Sequence, residues 1–317
     1  MGLIVATILS IALPLPSVTV TRTVDINGGL APLYGTLETP ASSKSSIAAL
    51  ILSGSGATDR DGNGPSGRGP NELKQLAQAL DAAGIASLRV DKRGIGESAP
   101  AAPSETALTL GTYVNDATNW TRWLSSQPSV SCVVLIGHSE GALIAFLVAQ
   151  HTHVCGIISL EGPGRPLKSV LEDQFKHVLK GDLLAEANAD LQSLSNGQSV
   201  ERVDPRLDML FRPSVQNYLR SEINVNPSDE LSKSSVPALI VLGTDDSQVA
   251  KSDYDALTKA RKSVRGMIIQ GMNHPLKEVG GNPIDRSELS ALPIPAALTT
   301  AIIKFISSLQ NEKSPDK

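Results

Sequence analysis

The stretch CVVLIGHSEGALIAFLVAQ, residues 132–150, decides the fold of this chain. Residues 132–136 are continuously apolar, as in a strand that is buried on both faces of a sheet. Residues 142–150 are apolar over the length of a helix, and the intervening GHSEG matches the pattern G-x-S-x-G. So tight a reversal from strand to helix strains the backbone at the serine and exposes its hydroxyl. We therefore predict Ser139 as a nucleophile, with a buried serine in a glycine-rich turn as the alternative.

Strands and helices alternate on both sides of this stretch. The first two strands read as an antiparallel pair joined by the turn at residues 27–29. The later alternation predicts right-handed βαβ units, and therefore an α/β fold with a mostly parallel central sheet and helices on both faces. The predicted strands are 18–24, 33–38, 46–53, 85–90, 130–136, 154–160, 237–242 and 264–269, and the predicted helices are 70–83, 112–125, 139–150, 254–262 and 295–309.

One long region interrupts the alternation. Residues 162–235 are polar and helical, with apolar residues spaced to face a partner. We interpret them as a helical cap inserted over the carboxyl edge of the sheet, and the alternative is a separate small domain with no role at the site. The core then consists of residues 19–161 and 236–310, and residues 311–317 are a polar tail.

A serine nucleophile needs a base, and a carboxylate to orient that base. After a G-x-S-x-G turn the acid and then the histidine follow along the chain. His274, in the loop after the last strand, is the downstream histidine that fits, because the remaining histidines lie in the elbow, at the far end of its helix or in the cap. Two carboxylates follow the preceding strand; we predict Asp246 as the acid, with Asp245 as the alternative.

The oxyanion of an acyl-transfer reaction needs backbone N–H donors beside the serine. We predict the N–H of Glu140, at the start of the helix, as one donor and the N–H of Ser55, in the loop LSGSG at residues 52–56, as the other. The charges at residues 60–63 are expected to order that loop rather than touch substrate. Asp91 and Arg93 read as a pair that pins the next loop.

Composition excludes several other classes of protein. The chain has 317 residues, 41% of them hydrophobic, which is typical of a folded domain. The formal net charge is -4 and no block of Lys and Arg occurs, so we expect no nucleic-acid partner. With 5 His and no metal-ligand spacing we expect no metal and no other cofactor. Cys132 and Cys155 begin neighbouring parallel strands; we favour two buried thiols, with a disulfide as the alternative.

The N-terminus is uncharged and apolar over residues 2–18. A run of this length is typical of a signal-peptide core rather than of a spanning helix. We therefore predict a signal peptide at residues 1–18 and an exported protein, periplasmic or secreted, with no stable membrane insertion after processing. A buried first strand or helix, in a cytoplasmic protein, is the alternative.

These segments together resemble the α/β-hydrolase superfamily, in particular bacterial esterases and dienelactone-hydrolase-like or serine-aminopeptidase-like proteins. The resemblance rests on LSGSGATDRDGN, DKRGIGES, GHSEG, GTDDSQV and GMNHPLK, in family order. It implies an α/β-hydrolase fold and a Ser-His-Asp triad. Dehalogenase and epoxide-hydrolase relatives have Asp at the position of Ser139. Where the family often has His-Gly after the oxyanion strand, this chain has Ser53-Gly54.

The function expected from these residues is hydrolysis of a small-molecule carboxylic ester through an acyl-Ser139 intermediate. Within the same fold the alternative is an aminopeptidase or a thioesterase. A peptidase would need cap carboxylates to bind a free amine, and the sequence offers Glu172, Asp173, Asp182 and Glu186. An alternative of another class is a non-catalytic binding protein that keeps the scaffold.

Overall fold

The computed structural model of the chain describes residues 19–43, 45–281, 284–285 and 288–311. The predicted signal peptide at residues 1–18 lies outside the described residues, as does all of the predicted tail after residue 311. Within the described residues no helix has the length and apolar character needed to cross a bilayer.

Eight strands of the described chain form one sheet in the order β1-β2-β4-β3-β5-β6-β7-β8. The first two strands pair antiparallel, β2 also pairs antiparallel with β4, and all remaining neighbours are parallel. The mostly parallel sheet predicted from the alternation is therefore confirmed. The strands are β1 (Val20–Ile26), β2 (Leu33–Thr39), β3 (Ile47–Leu52), β4 (Ser87–Val90), β5 (Cys132–His138), β6 (Gly156–Leu160), β7 (Ala238–Gly243) and β8 (Val264–Ile269).

Helices cover both faces of this sheet, as predicted. Alternate residues of β3 show the division, because Ala48, Leu50 and Leu52 pack into one core and Ile47, Ala49 and Ile51 into the other. Helices α2 and α3 contribute to the first core, and α1 and α10 to the second. The helices are α1 (Glu72–Ala82), α2 (Leu110–Ser125), α3 (Glu140–Val148), α4 (Leu167–Val178), α5 (Gly181–Ser195), α6 (Asp208–Phe211), α7 (Gln216–Glu222), α8 (Pro227–Ser232), α9 (Lys251–Lys259) and α10 (Ala296–Asn311).

The strand order brings the predicted site segments to one edge. Strand β3 pairs with β5 in a register that sets Leu52 opposite Gly137, so the loop after β3 begins beside the turn that carries Ser139. On the other side β5 pairs with β6, β6 with β7 and β7 with β8. Because these strands are parallel, their carboxyl ends and the loops that follow them meet at the same edge.

The region between β6 and β7 is helical and has a small core of its own. Helices α4 to α7 enclose a cluster that is separate from the two cores of the sheet; it includes Leu171, Phe175, Leu191, Phe211, Leu219 and Ile223. Arg212 of this region forms an ion pair with Glu105 of the sheet domain. The position agrees with a cap, while the boundaries 162–235 stay a prediction.

The two cysteines form a disulfide, so the favoured interpretation as two free thiols is wrong. Cys132 opens β5 and Cys155 immediately precedes β6, and their Cα atoms are 5.9 Å apart. Neighbouring parallel strands hold the two Cα atoms within the range that a disulfide requires. The sequence pattern predicts that proximity, but it does not decide whether the sulfurs are bonded.

Candidate active site

Ser139 occupies the turn between β5 and α3 in a strained conformation. Its backbone has φ 52° and ψ -123°, a combination that residues with a Cβ rarely adopt. A Cβ on Gly137 would collide with the backbone of Gly141, and a Cβ on Gly141 would collide with the carbonyl of Leu52. The two glycines of G-x-S-x-G are therefore required by the close approach of strand, turn and helix, and the serine side chain is left partly exposed.

His274 lies in the loop after β8 and contacts one of the two candidate carboxylates. Its Nδ1 is 2.7 Å from Oδ2 of Asp246, whose side chain is fully buried. Asp245 instead accepts hydrogen bonds from the Thr244 hydroxyl and the N–H of Gly281. The structure thus brings together Asp246 and His274, and it leaves Asp245 with other partners.

Asp246 is held as a carboxylate by several donors. Its Oδ1 accepts the N–H groups of Gln248 at 2.6 Å and Val249 at 2.9 Å. Burial alone would raise the pKa of Asp246, but the hydrogen bond and charge of His274, with further hydrogen bonds, hold that pKa below its ordinary value. The negative charge can therefore stabilise an imidazolium at His274.

His138, inside the elbow, ties the turn of Ser139 to the loop of His274. Its Nε2 is 2.8 Å from the backbone oxygen of His274, and because a carbonyl can only accept, Nε2 carries the proton. The two imidazole rings have centroids 5.0 Å apart. Burial, together with the charge of His274, lowers the pKa of His138 to about 3, so this ring is neutral.

No hydrogen bond joins the Ser139 hydroxyl to His274 in the described part of the chain. Hydrogen bonds between a nucleophile and its base are often long and shorten in the Michaelis complex. The shared contact with His138 keeps the two residues at the same edge of the sheet.

The loop after β3 packs against the elbow. A Cβ on Gly54 would lie 3.1 Å from the Cβ of Ser139, so a side chain at this position would crowd the elbow. Among the described residues the N–H groups of Ser55 and Glu140 donate to no protein acceptor. Both predicted oxyanion donors are thus unoccupied N–H groups on segments next to Ser139.

Lys92 connects these two donor segments, and its sequence position alone did not predict a role at the site. Its Nζ donates to the carbonyl of Gly54 at 2.5 Å and lies 3.6 Å from Oε2 of Glu140. In a trans peptide the carbonyl of Gly54 and the N–H of Ser55 point in opposite directions. Because Lys92 holds the Gly54 carbonyl on one side of the peptide, the N–H of Ser55 points to the opposite side. The one feature of the sequence that points to Lys92 is its position in the loop that follows β4, at the edge of the sheet where the site loops meet.

The loop that carries His274 is anchored by a buried lysine. The side chain of Lys277 is fully buried, and its Nζ donates to Oε1 of Gln75 at 2.6 Å and to the carbonyl of Leu292 at 2.8 Å. Burial lowers the pKa of Lys277 to about 8. Lys277 belongs to the GMNHPLK segment and fixes the end of the loop rather than the reacting atoms.

A cavity of about 290 Å³ lies between the sheet domain and the cap. It reaches the elbow through Glu140, whereas Ser139 and His274 lie outside its lining. Its charged groups are paired, because Arg212 binds Glu105, Lys92 contacts Glu140 and Arg93 binds Asp116. The remaining lining comes from residues 56–57, 94–95, 99, 102, 104, 108, 113, 215 and 218.

The cap carboxylates considered for an aminopeptidase do not line this cavity. Glu172 pairs with Lys168, and Asp173 pairs with Arg165 and Lys176, so these carboxylates are engaged within the cap region. Asp182 and Glu186 do not line the cavity described above. No group of three or more His, Cys, Asp or Glu side chains that could hold a metal occurs within the described residues.

The prediction that Asp91 and Arg93 pair with each other is wrong. Asp91 accepts from the guanidinium of Arg60 at 2.6 Å, while Arg93 forms a two-pronged hydrogen bond with Asp116 on α2. The two side chains face different elements, so each pins the loop to a different partner. Arg60 is buried in its ion pair with Asp91, and Asp61 forms an ion pair with Arg89, in agreement with the expected structural role.

Comparison with known proteins shows which family the chain belongs to. The family model described as serine aminopeptidase, S33, matches residues 70–277, about two thirds of the chain. The sequence is 29% identical over 259 residues to "Esterase EstD" of Thermotoga maritima, covering 80% of this chain and 59% of that protein. The chain thus spans 59% of the length of that curated relative.

Solved structures share the fold at low identity. Est1E from Butyrivibrio proteoclasticus matches with a TM-score of 0.60 and 18% identity, covering 91% of this chain and 99% of that one. Proline iminopeptidase of Mycobacterium smegmatis matches with a TM-score of 0.60 and 14% identity, covering 92% and 100%. With the sheet order and the strand-turn-helix at Ser139, these structures establish the α/β-hydrolase fold. The family model over residues 70–277 establishes that the chain belongs to the serine aminopeptidase S33 family.

Proposed function

We propose that this protein hydrolyses carboxylic esters through an acyl intermediate on Ser139. The observation that carries the proposal is the 2.7 Å contact between His274 Nδ1 and Asp246, at the sheet edge where Ser139 is held with positive φ. A histidine oriented in this way presents its other nitrogen as a base. The similarity to an esterase of Thermotoga maritima supports the same reaction class.

The proposed reaction has two balanced halves. His274 Nε2 accepts the proton of the Ser139 hydroxyl while Oγ attacks the ester carbonyl, and the N–H groups of Ser55 and Glu140 stabilise the oxyanion. The tetrahedral intermediate collapses when imidazolium gives its proton to the departing alcohol. Water then gives a proton to His274 and attacks the acyl carbon. The second tetrahedral intermediate collapses as His274 returns that proton to Oγ of Ser139, which releases the acid and restores the Ser139 hydroxyl.

The pairing of charges in the cavity favours an ester over a peptide with a free amine. An ammonium group needs an uncompensated carboxylate when it is removed from water. In the described lining, Glu105 is bound by Arg212 and Glu140 is contacted by Lys92. An ester makes no such demand, because it carries no charge at the acyl group.

The proposal is tested with short p-nitrophenyl esters and matched variants. Ser139→Ala should lower kcat on the order of 10⁶-fold and Asp246→Asn on the order of 10⁴-fold. Asp245→Asn is the control, because Asp245 does not contact His274, and it should keep activity near that of the wild type. Undiminished turnover in Ser139→Ala would falsify the assignment.

A second assay separates the reaction classes. The same enzyme is offered an amino-acid anilide and an acyl ester of similar size, and we expect faster kcat/KM on the ester. Faster cleavage of the anilide would instead establish an aminopeptidase. Binding of both compounds without turnover would indicate a non-catalytic binding protein.

A further inference from the structure

Glu161 is a buried carboxyl group beneath the proposed site. It follows β6 directly, opposite the elbow, since the N–H of Ser139 donates to the carbonyl of the preceding Leu160. The residue is 0% exposed and has φ 50°, a conformation uncommon for a residue with a Cβ. Strained buried residues of this kind persist where the surrounding structure holds them firmly, and they cluster at functional sites.

The carboxyl group of Glu161 bridges two loops. Its Oε1 accepts the N–H of Gly243, at the end of β7, at 2.8 Å. Asp246 lies on the same turn, since its N–H donates to the carbonyl of Gly243 at 3.4 Å. Besides burial, the charge and hydrogen bonding of the Asp246 side chain raise the pKa of Glu161. Oε2 of Glu161 has no N–H or hydroxyl donor among the described residues. Two deprotonated carboxylates would therefore meet acceptor to acceptor in a site without solvent.

Such a pair is stable when it shares one proton. Asp246 accepts from His274, Gln248 and Val249, whereas Glu161 accepts one N–H. The carboxylate with more hydrogen-bond donors keeps the negative charge, so the proton belongs on Glu161. Burial, and then the charge of Asp246, raises the pKa of Glu161 well above its ordinary value of 4.5, in agreement with this assignment.

We propose that Glu161 is a positioning residue that stays protonated at neutral pH and donates a hydrogen bond to Asp246. The hydrogen bond from Glu161 joins those from His274, Gln248 and Val249 around the Asp246 carboxylate. It fixes the plane in which that carboxylate contacts His274. The inference rests on the proposed function for its effect on turnover, but the protonation of Glu161 does not depend on it. His274 and the neutral His138 are the other titratable groups beside Asp246.

The first test compares two substitutions at this position. The amide in Glu161→Gln has the shape of a protonated carboxyl, so it can accept from Gly243 and donate to Asp246. We expect Glu161→Gln to keep kcat within about 3-fold of wild type, and Glu161→Met to lower kcat by about 10-fold or more with little change in KM. Equal loss in both variants would contradict the proposal.

The pH profile of kcat/KM distinguishes a neutral Glu161 from an ionised one. Replacing a neutral acid by an amide removes no charge, so the acid limb of Glu161→Gln should coincide with that of the wild type. If Glu161 were ionised, the substitution would remove a negative charge near His274 and the limb would move to lower pH. Such a movement would overturn the inference while leaving the ester hydrolase intact.

Two measurements remain informative even if no substrate is turned over. The infrared difference spectrum of wild type minus Glu161→Gln at pH 7 should contain the carbonyl band of a protonated carboxyl group. The unfolding free energy of Glu161→Gln should exceed that of the wild type increasingly as pH rises above 4.5, because Glu161 ionises only in the unfolded chain.

Glu38 supplies the contrasting control. It is also a buried glutamate, but it is ion-paired with Arg89 at 2.6 Å and lies far from the elbow. Glu38→Gln should therefore lower the unfolding free energy at pH 7. A carboxylate band in place of the acid band, or a loss of stability in Glu161→Gln like that in Glu38→Gln, would refute a protonated Glu161.

Discussion

At the scale of single residues, the proposed site depends on groups that hold other groups in place. His138 and Lys277 hold the loop that carries His274, and Lys92 holds the Gly54 carbonyl. Each is buried, so its removal changes geometry and leaves a polar partner unsatisfied. Substitutions at these positions should therefore affect turnover or stability through the geometry of the groups that these side chains hold.

Lys92→Met should reduce kcat by about 10- to 100-fold, since the peptide that carries the Ser55 N–H loses its fixed orientation. The substitution also removes the cation next to Glu140. Glu140 would then lie beside the carboxyl of Glu222, whose pKa is raised by burial and by Glu140, with no positive charge to compensate it. Steady-state kinetics on a p-nitrophenyl ester measures the effect. Lys74→Met, at a half-exposed lysine 3.8 Å from Asp61, is the control and should leave kcat unchanged. A Lys92→Met enzyme with wild-type kcat would exclude this role.

His138 should contribute to acid unfolding. Its pKa is lowered to about 3 in the folded protein from an ordinary 6.5, so between these values the unfolded state binds more protons. Stability is therefore lost as pH falls from 6.5 to 3, by up to about 1.4 kcal/mol per pH unit from this residue. Denaturant unfolding of His138→Gln should show the slope reduced by that amount, whereas His177→Asn, at an exposed cap position, should not. Identical slopes for wild type and His138→Gln would disprove a neutral His138.

At the scale of elements, the central strands could be predicted from the sequence, because a strand that is buried on both faces of a sheet is apolar along its length. Every residue of β3, β5, β6 and β7 is buried, and continuous apolar runs ending in glycine or polar residues mark them. The helix boundaries predicted from the sequence agree less well with the structure. Helix α2 begins at Leu110 instead of 112, because Thr109 caps it by accepting the N–H of Thr112, a capping signal present in the sequence.

Phe211→Ala should unfold the cap region before the sheet domain. Phe211 is fully buried in the separate cluster of the cap and packs edge-to-face against Phe175 at 6.1 Å. Removing the ring should cost about 3–5 kcal/mol, concentrated in that cluster. Hydrogen exchange should show faster exchange in α4 to α7 with the sheet strands still protected. Uniform loss of protection over the whole chain would indicate that the cap is no independent unit.

At the scale of the whole molecule, sequence alone predicted the sheet, the elbow and the contact between His274 and Asp246, because these follow from strand order and from loops at one edge. It did not reveal Lys92, Glu161 or the partners of Asp91 and Arg93. Those depend on which side chains meet across elements distant in sequence, as in the 31-residue separation between Arg60 and Asp91. Periodicity and motif spacing contain no information on such contacts.

The disulfide yields a prediction for the molecule as a whole. Thiol titration of the denatured, unreduced protein should find no free thiol, and the Cys132→Ala/Cys155→Ala variant should be less stable by about 3 kcal/mol, as expected for a loop closed across 23 residues. Buried disulfides persist in oxidising compartments, which agrees with the predicted export. Two titratable thiols in protein isolated from its native compartment would contradict both expectations.

The central claim is that Ser139 is the nucleophile activated at this sheet edge. The most direct measurement is reaction with a fluorophosphonate, followed by mass spectrometry of the intact protein and of its peptides. We expect a single adduct on Ser139, absent after heat denaturation and in His274→Ala. No adduct on the folded protein, or an adduct on a different serine, would contradict it.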